Sequence, residues 1–357
     1  MLPVNKPYLP EIEKYKSYID RIFKSNHLTN SGPLVQELES KLSDRFGVKH
    51  AICVANGSLA LQILYKAMNL EGDVITTPFS FAATTSTMTW EGLKPVFCDI
   101  DSESLNINAD KIEELITERT SAIVPVHVFG NPCDVEKIAQ LSAKHNIKVI
   151  YDAAHAFDIE YDGKSILNYG DASTISFHAT KIFHTIEGGA VFTNCDRLAK
   201  DVRNLINFGI VEGGELLGVG TNAKMNEFEA AMGLCILDDI GEIIEKRKEL
   251  VTFYHSKLEG LSNISLQKSS QSLFSYMPVI LDSEEVLLRT MSLLKENDIF
   301  ARRYFYPSLN QALFGMSKDK VPNAESISCR IMCLPLFFSL NKNEITMVTN
   351  IIEEALK

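Results

Sequence analysis

From residue 49 the chain alternates short apolar runs with longer stretches whose apolar positions recur at helical spacing. AICVA (51–55) precedes SLALQILYKAM (58–68), and VITTP (74–78) precedes a helical segment around 82–91. PVFCDI (95–100) precedes a pattern at 108–117, AIVPVHVF (122–129) precedes DVEKIAQLSAKH (134–145), and IKVIYD (147–152) closes the series. Strand–helix alternation of this kind predicts an α/β fold around a mainly parallel sheet. The strand candidates are apolar throughout rather than alternating, as strands covered on both faces are. STISF (173–177) and GAVFTN (189–194) add two more.

After about residue 196 the pattern turns helical. The stretch 225–258 reads as one long helix, with Gly233 and the 238–241 group as places where it could bend or break. The last hundred residues differ again: LFSYMPVIL (273–281) reads as a strand, and EEVLLRTMSLLKEN (284–297) and EITMVTNIIEEALK (344–357) read as helices. They predict a smaller α+β domain covering 246–357, after a larger unit covering 1–245.

Composition narrows the class. The chain has 357 residues, 45% of them apolar, and a net charge of −11, without any run of Lys and Arg. That balance argues against a nucleic-acid binder, which needs clustered cations. The seven cysteines form no CxxC pair and several sit inside apolar runs, so buried reduced thiols are expected and no metal site is. No signal-peptide pattern and no membrane-length apolar stretch is found, which predicts a soluble, cytoplasmic protein.

Three segments carry candidate chemistry. Asp152 ends an apolar strand, where ligands gather in parallel α/β sheets. Lys181, in SFHATK, lies 29 residues later between two strand candidates, ahead of the pair Gly188–Gly189. Gly57 and Ser58 stand between a strand and a helix, where backbone N–H groups bind phosphate. A phosphate at Gly57–Ser58, a ring nitrogen at Asp152 and an aldehyde at Lys181 describe one ligand, pyridoxal 5′-phosphate.

The order of motifs resembles the DegT/DnrJ/EryC1/StrS family of sugar aminotransferases. It runs from LTNSGPLVQELE (28–39) through NGSLALQI, TTPFSFAATTST, PVHVFGNPCDVEKI, DAAHAF, SFHATK and GTNAKMNEFEAAMG (220–233) to RRYFYPSL (302–309). The resemblance implies fold type I, the aspartate aminotransferase architecture. It implies that Lys181 holds the cofactor as a Schiff base and shuttles the proton, while Asp152 keeps the pyridine nitrogen protonated. His155 would sit near the phenolic oxygen, Phe81 would stack on the ring, and Gly57, Ser58 and Ser176 would bind the phosphate. Asn222 would reach that phosphate from a second subunit, which implies a homodimer with shared sites. His184 and Tyr306 are candidates for the sugar pocket. Structural alternatives stand beside these roles: core packing for Phe81, a backbone-bonded ring for His155, a strand-end serine for Ser176 and a helix cap for Asn222. Asp158 and His184 depart from the residues common in the family at those places.

The implied reaction is transamination of a nucleotide-linked keto sugar by L-glutamate, most in keeping with amination at C4 of dTDP-4-keto-6-deoxy-D-glucose, a route to O-antigen and other lipopolysaccharide sugars. Amination at C3 of the 3-keto isomer, or a non-catalytic binding protein of the same fold, are the alternatives. Family members that dehydrate sugars carry His at the lysine position, and Lys181 argues against that chemistry.

Overall fold

The computed structural model describes residues 1–211, 213–312 and 320–357. It opens on two helices ahead of the strand–helix alternation, Ile12–Ser25 and Pro33–Phe46. The first lays an apolar stripe on the core, with Ile22 buried and Tyr15, Tyr18 and Ile19 half-buried against it. The second begins at a proline, whose missing N–H costs nothing in a first turn, and ends at Gly47 in the left-handed region.

Nine strands follow: β1 (His50–Val54), β2 (Asp73–Thr76), β3 (Lys94–Phe97), β4 (Thr120–Val124), β5 (Lys148–Asp152), the short hairpin β6 (Glu160–Tyr161) and β7 (Lys164–Ser165), β8 (Ala172–Ser176) and β9 (Gly189–Thr193). All but the hairpin form one sheet in the order β1-β9-β8-β5-β4-β2-β3. β9 is antiparallel to both its neighbours, and the other recorded pairs are parallel. Helices Gly57–Ala67, Ala82–Trp90 and Val135–His145 connect the strands, and helix Asp196–Leu205 follows the last of them. Because β9 reverses, the connection 177–188 turns back at the carboxyl end of β8 and keeps Lys181 there.

Several elements are shorter than the pattern predicts. The helix expected over 108–117 is one α-turn, Ala109–Ile112, and a 3-10 turn, Glu113–Leu115, with Ala109 and Ile112 buried and Leu115 and Ile116 half-buried on the core. The strand expected over 122–129 stops at Val124, before Pro125, which has no N–H for a ladder. The strand expected over 273–281 is confined to β11 (Pro278–Leu281), since the Phe274 and Ser275 carbonyls bond to Arg247 instead. In the opposite sense, helix Glu227–Leu258 runs unbroken, started by a capping box between Asn226 and Glu229. Gly233 does not break it. A Cβ there would lie 2.8 Å from Thr185 Cγ2, so the glycine lets the helix approach the connection carrying Lys181.

β10 (Ile264–Leu266), β11 and β12 (Ile331–Cys333) make a second, antiparallel sheet. Helices Glu284–Glu296 and Lys342–Leu356 pack on it, burying Leu287, Leu294, Val348 and Ile352. Along helix Glu227–Leu258, residues to Ile244 join the core of the main sheet and residues from Leu250 join the core of the second. Five of the seven cysteines, Cys53, Cys98, Cys133, Cys235 and Cys333, are buried. No helix among the described residues is long and apolar enough to cross a membrane.

Candidate active site

Three chain reversals at the carboxyl ends of strands enclose one cavity of about 300 Å³. After β1, Asn56 caps helix Gly57–Ala67 by accepting from Leu59 N–H at 2.9 Å, which leaves the first turn's N–H groups directed at the cavity. After β5 comes Asp152, and after β8 come Ser176 and Lys181. The approach is close: a Cβ on Gly189 would stand 2.7 Å from Gly57 N, so only glycine lets β9 and the helix start meet there. Gly57, Ser58, Phe81, Asp152, His155, Ser176 and Lys181 all line this cavity. Phe81 is 56% exposed at its mouth, so its ring is free for a ligand rather than spent on the core.

The ionisable groups are short of counter-ions. Asp152 is buried and accepts from Thr84 Oγ1–H at 2.8 Å and Ala154 N–H at 3.1 Å, both neutral donors. Burial raises its pKa; the two hydrogen bonds and the nearby Lys181 oppose that rise. Lys181 makes no ion pair among the described residues, and its Nζ donates to Tyr276 Oη at 3.1 Å. Burial lowers it to about 8, with Arg302 pushing the same way and Tyr304 and Asp152 opposing. His155 is held well below its usual range by burial and by Lys181. Its Nδ1 accepts from Phe129 N–H at 3.2 Å, so the neutral ring carries its proton on Nε2. Phe129 and Phe305 lie nearly parallel to that ring, 6.0 and 5.8 Å away.

Three expected residues stand outside the cavity within this chain. His184, expected near the sugar, is 1% exposed; its Nε2 donates to the Tyr8 carbonyl at 2.7 Å and its Nδ1 accepts from Ile186 N–H. Tyr306 is 47% exposed beneath the Arg303 guanidinium, while its neighbours Tyr304 and Phe305 reach the cavity. Asn222 is exposed and bridges Asn207; it does not cap the long helix, which starts at Glu227 after Asn226. Sequence reasoning missed Thr84, Tyr276 and Arg302. Thr84 and Arg302 lie in segments that had been singled out, TTPFSFAATTST and RRYFYPSL, without a role of their own. Tyr276 comes from the far part of the chain, where nothing marked it.

An acid, a lysine stripped of its hydration and a phosphate-sized helix start around one cavity are what a pyridoxal enzyme requires. Residues 11–353 match the model of the DegT/DnrJ/EryC1/StrS aminotransferase family. The chain belongs to this family. It is an aminotransferase, and its fold is that of the fold type I enzymes. A dTDP-4-amino-4,6-dideoxy-D-glucose transaminase of Shigella dysenteriae is 41% identical over 361 residues, covering 98% of each chain. Among solved structures, DesI, crystallised with its TDP-sugar product, superposes with a TM-score of 0.95 at 33% identity, over 99% of this chain and 93% of DesI. NtdA from Bacillus subtilis, solved with bound pyridoxamine phosphate, gives 0.90 at 25% identity over 99% of this chain and 85% of its own. Aminotransferases of the DegT/DnrJ/EryC1/StrS family depend on pyridoxal phosphate.

Proposed function

We propose that this aminotransferase uses pyridoxal phosphate to move the amino group of L-glutamate to C4 of dTDP-4-keto-6-deoxy-D-glucose, giving dTDP-4-amino-4,6-dideoxy-D-glucose. The observation that carries the reading is the pairing in one cavity of a buried Asp152 and a half-buried Lys181, neither with a dedicated counter-ion. A carboxylate left with two neutral donors fits a cationic ring N–H. The helix start at Gly57, with Ser58 and Ser176 beside it, fits a phosphate.

When bound, pyridoxal phosphate carries the amino group between donor and acceptor as an electron sink. The chain's own residues do the rest. Lys181 would hold the aldehyde carbon and move a proton at its Nζ; with burial bringing it to about 8, a useful fraction is neutral near neutral pH. Asp152 would hold the proton on the ring nitrogen, His155 would offer its Nε2–H to the phenolic oxygen, and Phe81 would cover the ring. Asn222, exposed in this chain, would complete the phosphate site of a second copy, so we read the working form as a homodimer. Exposed Ile186 and Phe208 support a surface that a second copy covers. We also read residues 1–245 and 246–357 as two domains, with a cytoplasmic location.

The C4 position is supported by the name and 41% identity of the Shigella dysenteriae relative. A 3-keto isomer would displace the reacting carbon by one ring position, enough to spoil attack geometry. Offered both keto sugars with glutamate, the enzyme should form the 4-amino product, identified by NMR. Preferential formation of the 3-amino sugar would overturn the C4 assignment.

A further inference from the structure

Tyr276 is the group that Lys181 Nζ touches, at 3.1 Å. It comes from outside the main sheet, in the segment that leads into β11. Its ring lies 4.7 Å from His155 and 5.4 Å from Phe129, so its hydroxyl is aimed by packing on two sides. The backbone just before it is held by an unusual partner. Arg247, buried in helix Glu227–Leu258, donates to Phe274 O at 2.8 Å, Ser275 O at 2.7 Å and Leu336 O at 3.0 Å. It makes no ion pair among the described residues. A guanidinium buried on three carbonyls alone is costly to desolvate, yet its rigid fork fixes two successive peptide groups.

We infer that Tyr276 is a catalytic residue of the transamination, holding the Lys181 nitrogen through its hydroxyl, and that Arg247 is a positioning residue that sets Tyr276 there. The inference rests on the reading of Lys181 as the cofactor lysine. Burial pushes the Tyr276 hydroxyl well above its ordinary range, so it stays protonated and can either accept from a cationic nitrogen or donate to a neutral one. The first bond is charge-assisted and the stronger of the two. The hydroxyl therefore favours the protonated nitrogen, against the desolvation that pulls the other way. The remaining charged or ionisable groups around the Lys181 cavity are Asp152, His155, His178, Glu187, Arg302 and Tyr304, and none of them is altered in the variants below.

The test is a pH titration of the visible band of the holoenzyme, which reports the protonation of the Lys181 nitrogen. Tyr276→Phe should lower the midpoint by roughly half to one pH unit, the difference between a charge-assisted and a neutral hydrogen bond. Arg247→Lys, which keeps the cation but loses the fork, should lower it in the same direction and by less. A loss of packing alone would admit water, relieve the desolvation of the Lys181 nitrogen and move the midpoint up, not down. If Tyr276→Phe cannot form the band, Arg247→Lys alone decides. An unchanged or raised midpoint in a variant that forms the band overturns the inference. The underlying cofactor reading fails differently, by the wild-type protein forming no such band with pyridoxal phosphate.

Discussion

Two buried carboxylates, one in a helix seam and one at a strand end, are used in different ways. Glu227, 1% exposed in the seam between helices Pro33–Phe46 and Glu227–Leu258, spends both oxygens on backbone: Leu34 N–H at 2.9 Å and Val35 N–H at 3.0 Å. It closes a helix start that has no cap of its own. Asp152, 6% exposed, accepts one hydrogen bond on each oxygen and keeps its remaining lone pairs toward a cavity. Each carboxylate accepts one hydrogen bond per oxygen, so the count does not separate them; the difference is that Asp152 lines the cavity and Glu227 does not. A buried charge marks chemistry where a cavity meets it, and architecture where the fold surrounds it.

The comparison makes substitutions in the two regions separable. Lys181→Ala should have the largest effect, abolishing turnover and the visible cofactor band while leaving the urea midpoint close to wild type. Asp152→Asn should keep the cofactor but slow the glutamate half-reaction by on the order of 100-fold in stopped-flow absorbance, the scale of a mis-set protonation site. Its stability should not fall. Asp152 has a raised pKa in the fold, so its stabilising contribution exists only in acid and is lost as pH rises through that pKa. At neutral pH the ionised group opposes folding, and the neutral amide removes that opposition.

Glu227→Ala should do the reverse. Two buried N–H groups lose their acceptor, which costs about 2–4 kcal/mol in urea unfolding. A Glu227→Ala protein of unchanged stability would remove the distinction between the two carboxylates.

The smallest effect concerns pH. His127 is buried and pushed down to about 3, with its Nδ1 accepting from Cys133 N–H. The unfolded chain takes up a proton on this ring near pH 6.5 and the folded chain does not. Stability is therefore full above that pH and declines below it, by about 1.4 kcal/mol per pH unit for this histidine. Urea midpoints at pH 7 and 5.5 check this, and His127→Gln should flatten the slope.

What the sequence made legible follows from the same physics. Strands buried on both faces leave unbroken apolar runs, so the sheet could be read from β1 to β9. Asp152 and Lys181 stood at strand ends, where position alone narrows their roles. The two N-terminal helices carry apolar positions at helical spacing, Tyr15, Tyr18, Ile19 and Ile22 in the first and Leu34, Val35, Leu38 and Leu42 in the second, but they stand ahead of the strand–helix alternation from which the sheet was read. Tyr276 was invisible for a different reason. Its meeting with Lys181 spans 95 residues and depends on an arginine fork that no local pattern announces. His184 shows the converse: nearness to Lys181 in sequence suggested the sugar pocket, but its hydrogen bond to Tyr8 turns it toward the N-terminal segment.

The most direct test of the account is chemical mapping of the cofactor lysine. Holoenzyme reduced with borohydride and digested should carry the phosphopyridoxyl mass on the peptide containing Lys181 and on no other. The same mass on a different lysine, or its retention in Lys181→Ala, would contradict it.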